Sequence, residues 1–245
     1  METLIRLSRN QFELAGEFAE CLSDFINLAA KRKKPVNIAL SGGTTPGLLF
    51  SMLGDLYSKK TDWEYVHFFW GDERCVPPHD QESNYGLVRL KLLEKISIPP
   101  LNIHRIRGES DPVQEAQRYA GEIMSSCRGR NGLPVFDMIL LGLGEDGHTA
   151  SIFPGNESSF SSKKVCEVAV HPLSGQKRIT ITGSVINNAD RVIFLVTGAS
   201  KADIISQVIE CPGISEYPAA NVEPLHGTLE WYLDNDAASS LSQWA

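Results

Sequence analysis

Short apolar runs alternate along this chain with longer segments whose apolar residues recur at helical spacing, and this alternation restricts the fold most. The apolar runs predict strands at VNIAL (36–40), YVHFFW (65–70), FDMILLGL (136–143), KRITITG (177–183) and RVIFLVTG (191–198). The segments between them predict helices at 10–31, 48–57, 83–94, 111–127 and 200–209. Strands that alternate with helices form a doubly wound, mainly parallel sheet. We therefore predict an α/β fold with helices on both faces of a single sheet, built as one domain over residues 1–245.

Four loops that follow predicted strands carry glycine-rich or polar sequence. They are SGGTTPG (41–47), GDER (71–74), GLGEDGH (142–148) and TGASK (197–201). In open parallel sheets, ligands bind outside the carboxyl ends of the strands. We therefore expect these loops to carry the functional site.

Charge and cysteine content exclude several classes of protein. The formal net charge is -7, whereas broad nucleic-acid binding requires a basic surface. A few local cations still allow a small anionic ligand.

The first residues lack the apolar core of a signal peptide, and no apolar run is long enough to span a bilayer. The five cysteines are scattered and form no CxxC pair, so we expect a reducing, cytoplasmic setting without disulfides or a metal site.

The stretch LLGLGEDGHTASIFPG (140–155) contains the G-x-G-x-x-G pattern of dinucleotide-binding proteins. Glu167 even lies twenty positions past Gly147, where such a protein places the acid that binds the ribose. However, that pattern requires a helix to start at its last glycine, and Pro154 ends any helix there after about a turn. Glu145 and Asp146 would also repel a pyrophosphate. The sequence therefore disfavours the dinucleotide interpretation.

The alternative interpretation is that these glycines serve His148. An imidazole accepts a proton near neutral pH, and Asp146, two positions earlier, is placed to orient it. A single histidine is more often structural, but the three other ligand-ready loops favour a chemical role here.

The SGGTTPG turn leads from a strand into a helix. Gly42 and Gly43 allow the backbone to approach a ligand closely, while Ser41, Thr44 and Thr45 offer hydroxyls and amides at a helix N-terminus, where anions are favoured. A tight turn with a helix cap explains the same residues, so this loop alone leaves both possibilities open.

Three cations are candidates for binding an anion. The planar guanidinium of Arg74 suits phosphate oxygens, although a surface salt bridge within GDER explains it equally well. Lys201 lies in the first turn of a predicted helix, where the helix dipole opposes a positive charge, and this marks it for function. Arg178 lies near the start of a strand and is either a ligand contact or merely exposed.

Four segments together resemble the 6-phosphogluconolactonase family: SGGTTP (41–46), WGDERCVPPHDQESNYG (70–86), LGLGEDGHTASIFPG (141–155) and RITITGSVINNADRVIFLVTGASKA (178–202). They occur in the family's order over most of the chain. The resemblance implies a Rossmann-like fold of the sugar-phosphate isomerase type. It also implies hydrolysis of 6-phospho-D-glucono-1,5-lactone to 6-phosphogluconate in the oxidative pentose phosphate pathway, with no cofactor or metal.

The resemblance also implies roles for individual residues. His148 is expected to be the general base that activates water, with Asp146 holding its imidazole. Backbone amides of the turn from Gly144 to Gly147 are expected to stabilise the oxyanion. The 6-phosphate is expected to lie against the SGGTTP turn and the three cations, with Asp72 on sugar hydroxyls. The predicted substrate-binding residues are Ser41, Gly42, Gly43, Thr44, Thr45, Asp72, Arg74, Gly144, Glu145, Gly147, Arg178 and Lys201.

Two other functions stay open. Hexosamine-6-phosphate deaminases share the fold and a similar aspartate–glycine–histidine run, but asparagine usually precedes that aspartate and a catalytic glutamate follows the histidine by five positions. This chain has Glu145 and Phe153 there, which disfavours the deaminase. A non-catalytic sugar-phosphate sensor would carry a DNA-binding segment, for which an α/β pattern that begins by residue 36 leaves no room. In the C-terminal segment, Trp231 and Tyr232 either cover the site or pack in the core, and we favour packing.

Overall fold

The computed structural model describes residues 2–211 and 216–242, so residues 1, 212–215 and 243–245 of the predicted domain lie outside the described residues. The helices are α1 (Gln11–Lys31), α2 (Thr44–Leu56), α3 (Asn84–Lys91), α4 (Pro112–Ser126), α5 (Gly183–Ile186) and α6 (Ala202–Glu210). The strands are β1 (Glu2–Ser8), β2 (Val36–Leu40), β3 (Val66–Trp70), β4 (Asp72–Arg74), β5 (Ile103–His104), β6 (Arg128–Arg130), β7 (Leu133–Val135), β8 (Met138–Leu141), β9 (Cys166–Val170), β10 (Lys177–Ile181), β11 (Arg191–Val196) and β12 (Thr228–Asp234). Short 3-10 helices lie at Trp63–Tyr65, Leu93–Lys95, Pro100–Asn102, Glu157–Ser161, Ala199–Lys201 and Pro218–Asn221.

Seven strands form one parallel sheet in the order β1–β12–β11–β8–β2–β3–β5. The central strands are nearly continuous apolar runs because helices cover both faces of such a sheet, and every residue of β8 is buried. Strand β2 pairs with β3 from Val36 opposite Val66 to Leu40 opposite Trp70. The predicted α/β fold with a mainly parallel sheet is confirmed, and all seven carboxyl ends lie at one edge of it.

The winding direction reverses between β2 and β8. After β1, β2 and β3, the next strand of the main sheet lies nearer the β5 edge. After β5, β8 and β11, the next strand lies nearer the β1 edge. With right-handed crossovers, α1, α2 and α3 lie on one face of the sheet and α4 and α6 lie on the other. Contacts agree with this, because α1 packs against α2 and α2 packs against α3. A crevice therefore opens past the carboxyl ends of β2 and β8, as in other doubly wound sheets.

Helix α1 shows how local sequence builds this shell. Asn10 caps it, since the Asn10 side chain accepts hydrogen bonds from the backbone of Phe12 and Glu13. The helix turns a buried apolar face, which includes Phe18 and Leu22, towards the sheet. In residues 2–211 and 216–242, no helix combines the length and the apolar character that crossing a bilayer requires.

Strand β10, the KRITITG segment, does not belong to the main sheet. It pairs antiparallel with β4 and β9 in a separate three-stranded sheet, and β4 is the GDER segment that was predicted as a loop. The alternation of polar and apolar residues in KRITITG is typical of an antiparallel strand, although here both faces are covered and every residue of β10 after Lys177 is buried. The alternation thus predicted a strand but not its sheet.

Three strands of the main sheet, β1, β5 and β12, were not predicted, and the α/β pattern starts at β1 and not at residue 36. β1 is an edge strand whose mixed polar and apolar residues give no clear period. In β12, Glu230 interrupts the apolar run although it is only 3% exposed. Arg191 on the neighbouring strand compensates its charge, with Nε donating to Glu230 at 2.8 Å. A buried ion pair of this kind is invisible in a single stretch of sequence.

Trp231 and Tyr232 of β12 pack in the core, which confirms the favoured alternative. The Trp231 ring is 1% exposed and stacks on Phe194 of β11, with centroids 4.0 Å apart. The Tyr232 ring meets Phe18 of α1 edge-on at 4.7 Å. These aromatic contacts tie the missed strand β12 to both its neighbouring strand and the covering helix.

We expect Trp231→Ala to lower the free energy of unfolding by about 3–5 kcal/mol, because it leaves a cavity beside Phe194. Urea unfolding measures the loss. Trp231→Phe keeps a ring at the same place and serves as the matched control, with a loss smaller than that of the alanine variant. Equal stability of wild type and Trp231→Ala would contradict a core role for this residue.

Candidate active site

A pocket of about 240 Å³ opens at the crevice where the winding reverses. All four predicted loops contribute to it, together with β10 and α3. Its lining includes Ser41, Gly42, Gly43, Thr44, Thr45, Asp72, Arg74, Asn84, Gly142, Gly144, His148, Arg178, Thr197 and Lys201. Pockets for drug-sized ligands typically measure about 300–1,000 Å³, so this one suits a single small molecule better than a dinucleotide. Among the described residues, no cluster of three or more histidine, cysteine or acidic side chains is arranged to hold a metal ion.

His148 and Asp146 form a hydrogen-bonded pair at this pocket. His148 Nδ1 lies 2.5 Å from Asp146 Oδ1. Burial acts to raise the pKa of Asp146, but the hydrogen bond and charge of His148 outweigh burial, and the pKa lies below its ordinary value. The carboxylate therefore stays ionised at neutral pH and keeps a proton on Nδ1. Nε2 then carries the lone pair, which is the arrangement that a general base requires.

Two glycines of the GLGEDGH loop make room for neighbouring side chains, and Gly144 makes room for this pair. A Cβ on Gly144 would lie 2.1 Å from His148 Nδ1 and 2.7 Å from Asp146 Oδ1. Gly147 has a φ of +74°, and a Cβ there would lie 2.4 Å from the Tyr217 ring. No helix starts at Gly147, because the next residues form an antiparallel bridge, so the geometry does not support dinucleotide binding. Gly144 thus leaves the space that the His148 and Asp146 side chains occupy, and Gly147 leaves space for the Tyr217 ring.

The same turn uses two of the predicted oxyanion donors in its own hydrogen bonds. The Gly144 amide donates to the His148 carbonyl at 2.8 Å, and the Gly147 amide donates to the Gly144 carbonyl at 3.1 Å. Both amides are therefore occupied inside the turn and do not face the pocket as free donors. The sequence could not show this, because the spacing of glycines does not reveal where their amides point.

Arg74 and Arg178 lie directly opposite each other on β4 and β10. Like charges at opposite positions of an antiparallel pair are destabilising. Burial, followed by the charge of Arg74, holds the pKa of Arg178 below its ordinary value, although nearby acids act in the other direction. Arg74 donates from Nη1 to the Glu82 carbonyl at 2.6 Å. Two adjacent guanidinium groups at the wall of a pocket mark a site for an anion.

Lys201 supplies a third positive charge from the other side of the pocket. It lies in the 3-10 turn that leads into α6, close to the predicted helix start. Burial lowers the pKa of Lys201, whereas the negative charges of Glu145 and Asp146 act to raise it. Its contact with Glu145 is long, at 4.0 Å, and the Glu145 side chain is 75% exposed. The lysine is thus only weakly compensated by the protein.

Asp72 is held by two protein partners. It is 5% exposed, its Oδ2 accepts from Ser151 Oγ at 2.7 Å, and its Oδ1 accepts from Asn84 Nδ2 at 3.2 Å. Asn84, which lies at the start of α3, was not predicted as a site residue. The Asn84 side chain also explains why residue 42 in the first loop is a glycine, because a Cβ on Gly42 would lie 1.8 Å from Asn84 Oδ1. The one sequence feature that pointed towards Asn84 was the predicted start of a helix at residue 83, soon after GDER.

Glu73 links the segments beside this part of the pocket. It is 2% exposed, and its carboxylate accepts backbone hydrogen bonds from Arg74, Asn84 and Tyr85 and one from the Ser83 hydroxyl. Burial raises its pKa, while the three backbone hydrogen bonds act to lower it. The interpretation of GDER as a surface salt bridge is therefore wrong.

The sequence model of the family described as glucosamine-6-phosphate isomerases/6-phosphogluconolactonase matches residues 9–231. This chain belongs to that family. A 6-phosphogluconolactonase of Haemophilus influenzae is 47% identical over 209 residues, which cover 84% of this chain and 88% of the relative. A 6-phosphogluconolactonase of Aggregatibacter actinomycetemcomitans is 42% identical, with 94% and 98% covered. A crystal structure described as devB protein matches with a TM-score of 0.91 and 43% identity, covering 97% of this chain and 98% of that one.

The predicted residues divide into two groups in this member of the family. Asp146, Glu145 and Gly147 lie outside the pocket wall, whereas the other predicted residues line it. Asp146 supports His148 from behind, and Gly147 shapes the turn. The roles assigned to all of these residues stay predictions.

We expect Gly144→Ala to lower kcat by about 10²-fold, because its Cβ would displace the imidazole, and misplacing a reacting group by about 1 Å has an effect of that size. Steady-state kinetics on the family's lactone substrate measure it. Gly121→Ala in α4 is the matched control, since a Cβ there meets nothing within 4 Å. A fully active Gly144→Ala variant would show that the pair tolerates the displacement.

Proposed function

We propose that this protein hydrolyses 6-phospho-D-glucono-1,5-lactone to 6-phospho-D-gluconate, a step of the oxidative pentose phosphate pathway. The observation that carries the proposal is a single small pocket that joins an imidazole held by a carboxylate to three cations. The relatives that are named 6-phosphogluconolactonase, at 47% and 42% identity, support it. The partner is a small sugar-phosphate molecule, and no cofactor takes part. A reducing cytoplasmic setting belongs to the proposal and is supported by five free cysteines.

The reaction begins with water. His148 Nε2 takes a proton from the water as the water oxygen attacks the lactone carbonyl carbon. The electrons of the carbonyl double bond move onto the carbonyl oxygen. Asp146 stabilises the imidazolium that forms. When the tetrahedral intermediate collapses, the bond from carbon to ring oxygen breaks and the ring oxygen receives the proton from His148. One water is added and the base is restored. A positioned base typically contributes about 10²- to 10⁴-fold to the rate.

The 6-phosphate accounts for the cations. A phosphate monoester carries about -1.5 to -2 charges at pH 7, enough to offset the repulsion between Arg74 and Arg178. The guanidinium groups suit bidentate contacts to its oxygens. The first amides of α2, from Thr44 and Thr45, lie at the same pocket and add hydrogen-bond donors where the helix dipole favours an anion. Lys201 closes the anion site from the opposite loop.

We expect His148→Asn to lower the turnover of freshly prepared 6-phosphogluconolactone by about 10²-fold or more, because the variant lacks the base. Release of 6-phosphogluconate measures the rate, with a blank without enzyme, since the lactone also hydrolyses by itself. His226→Asn, at an exposed position, is the matched control and keeps wild-type activity.

The outcomes separate the possible functions. Equal turnover by wild type and His148→Asn would keep the lactonase and exclude this base. Folded wild type that does not hydrolyse the lactone would overturn the proposal. Ammonia release from glucosamine 6-phosphate would then indicate a deaminase, and binding of 6-phosphogluconate without turnover of either substrate would indicate a sensor.

We expect Arg178→Ala to raise KM for the phosphorylated lactone by about 10- to 100-fold, the range for loss of a hydrogen bond to a charged group. KM for glucono-1,5-lactone, which lacks the phosphate, should change little. Equal KM increases for both lactones would show that Arg178 does not bind the phosphate.

A further inference from the structure

One phenylalanine ring lies between the proposed base and an arginine of the anion site. The Phe153 ring centroid is 4.8 Å from that of the His148 imidazole, and the rings are tilted by 48°. Arg178 Cζ lies 5.5 Å from the same centroid, over the ring. His171 meets the ring in an edge-on contact at 5.1 Å. Phe153 is 5% exposed and lies behind the pocket wall. It thus touches two site residues without reaching the substrate space.

The chain between His148 and Phe153 is built to return the ring to the imidazole. Thr149 and Ile152 form an antiparallel bridge, which reverses the chain within a few residues. The Ser151 hydroxyl anchors the reversal through a 2.7 Å hydrogen bond to a pocket carboxylate. Phe153 therefore packs against a side chain five positions earlier in sequence, in a conformation that local hydrogen bonds determine.

The Phe153 ring is also placed to orient Arg178. Among the described residues, the buried Nε of Arg178 has no hydrogen-bond partner. Arg74 lies opposite and repels it. A cation held over a ring face is attracted to the aromatic quadrupole, most strongly when water is excluded. The Phe153 ring is thus a favourable contact that can fix the guanidinium before an anion arrives.

The imidazole of His148 has a similar need. The hydrogen bond to Asp146 holds one ring nitrogen but leaves the ring able to rock about that contact. A reactive group has to be held within about 0.5 Å and 10–20° of its working geometry. Packing of the Phe153 ring against the imidazole removes this freedom. The carboxylate and the phenyl ring together determine where Nε2 points.

We propose that Phe153 is a positioning residue that holds His148 and Arg178 in one fixed relation. The lactone carbonyl and the 6-phosphate are parts of one rigid substrate, so the base and the phosphate arginine have to be aligned with each other. A single buried ring in contact with both provides that alignment. This role rests on the lactonase function proposed above. It adds, to the groups that touch the substrate, a residue that sets the spacing between them.

The test uses Phe153→Leu, which removes the ring but keeps an apolar side chain. We expect kcat for the phosphorylated lactone to fall by about 10-fold, and KM to rise by about 3- to 10-fold, as expected for loss of a cation–π contact. With glucono-1,5-lactone, kcat should fall in the same way while KM stays unchanged. Phe153→Tyr keeps the ring and should restore most of both parameters. Phe160→Leu, whose ring packs against Gly183, is the matched control and keeps wild-type kinetics.

A double-mutant cycle with Arg178→Ala separates positioning from general loosening of the fold. If Phe153 acts on the phosphate through Arg178, then Phe153→Leu no longer raises KM in the Arg178→Ala background. An unchanged increase in that background would overturn the proposal, as would a Phe153→Tyr variant that is as impaired as the leucine variant.

Two further results are informative. If Phe153→Leu does not fold, Phe153→Met removes the ring with an unbranched side chain and carries the same comparison. Wild type that is inactive on the lactone would refute the proposed function itself, whereas active wild type with normal Phe153→Leu kinetics would refute only the role of Phe153.

Discussion

All seven strands of the main sheet run in the same direction, and the position of the pocket depends on this. Parallel strands place the loops after β2, β8 and β11 at one edge, and the reversal of winding between β2 and β8 separates the helices there enough for a pocket. Residues far apart in sequence, such as Thr45 and Thr197, then meet directly, with their hydroxyl oxygens 2.7 Å apart. The strand order thus determines which loops can cooperate, and the loops supply the chemistry.

The second determinant is electrostatic. The chain carries a net charge of -7, yet it gathers Arg74, Arg178 and Lys201 around one pocket and leaves them weakly compensated. This arrangement destabilises the ligand-free fold, because Arg74 and Arg178 lie opposite each other and burial disfavours the charged forms of Arg178 and Lys201. A protein retains such a cost where a ligand offsets it. The local field at the pocket, and not the overall charge of the molecule, therefore indicates what binds.

The sequence predicted the centre of the fold better than its edges. Central strands are covered on both faces, so their apolar runs are unmistakable and β2, β3, β8 and β11 were found. β1 escaped because an edge strand has no strict pattern, and β12 because Glu230 is neutralised by an arginine on another strand. In the site, the pocket residues in the loops after β2, β8 and β11 were found, as were Asp72 and Arg74 on β4 and Arg178 on β10. Asn84 was missed because it reaches the pocket only through tertiary contacts, with Glu73 and Asp72 holding it.

The GLGEDGH loop shows why a short pattern does not determine a function. The same glycine spacing leads to a dinucleotide site when a helix begins at the last glycine, because the helix amides then face the pyrophosphate. Here the chain reverses instead, and the amides of Gly144 and Gly147 close the turn on itself. The space that the missing Cβ of Gly144 leaves is filled by an imidazole and a carboxylate. The backbone conformation after the last glycine decides which ligand chemistry is possible. In this chain, the reversal that excludes a dinucleotide is also the one that brings Phe153 against His148.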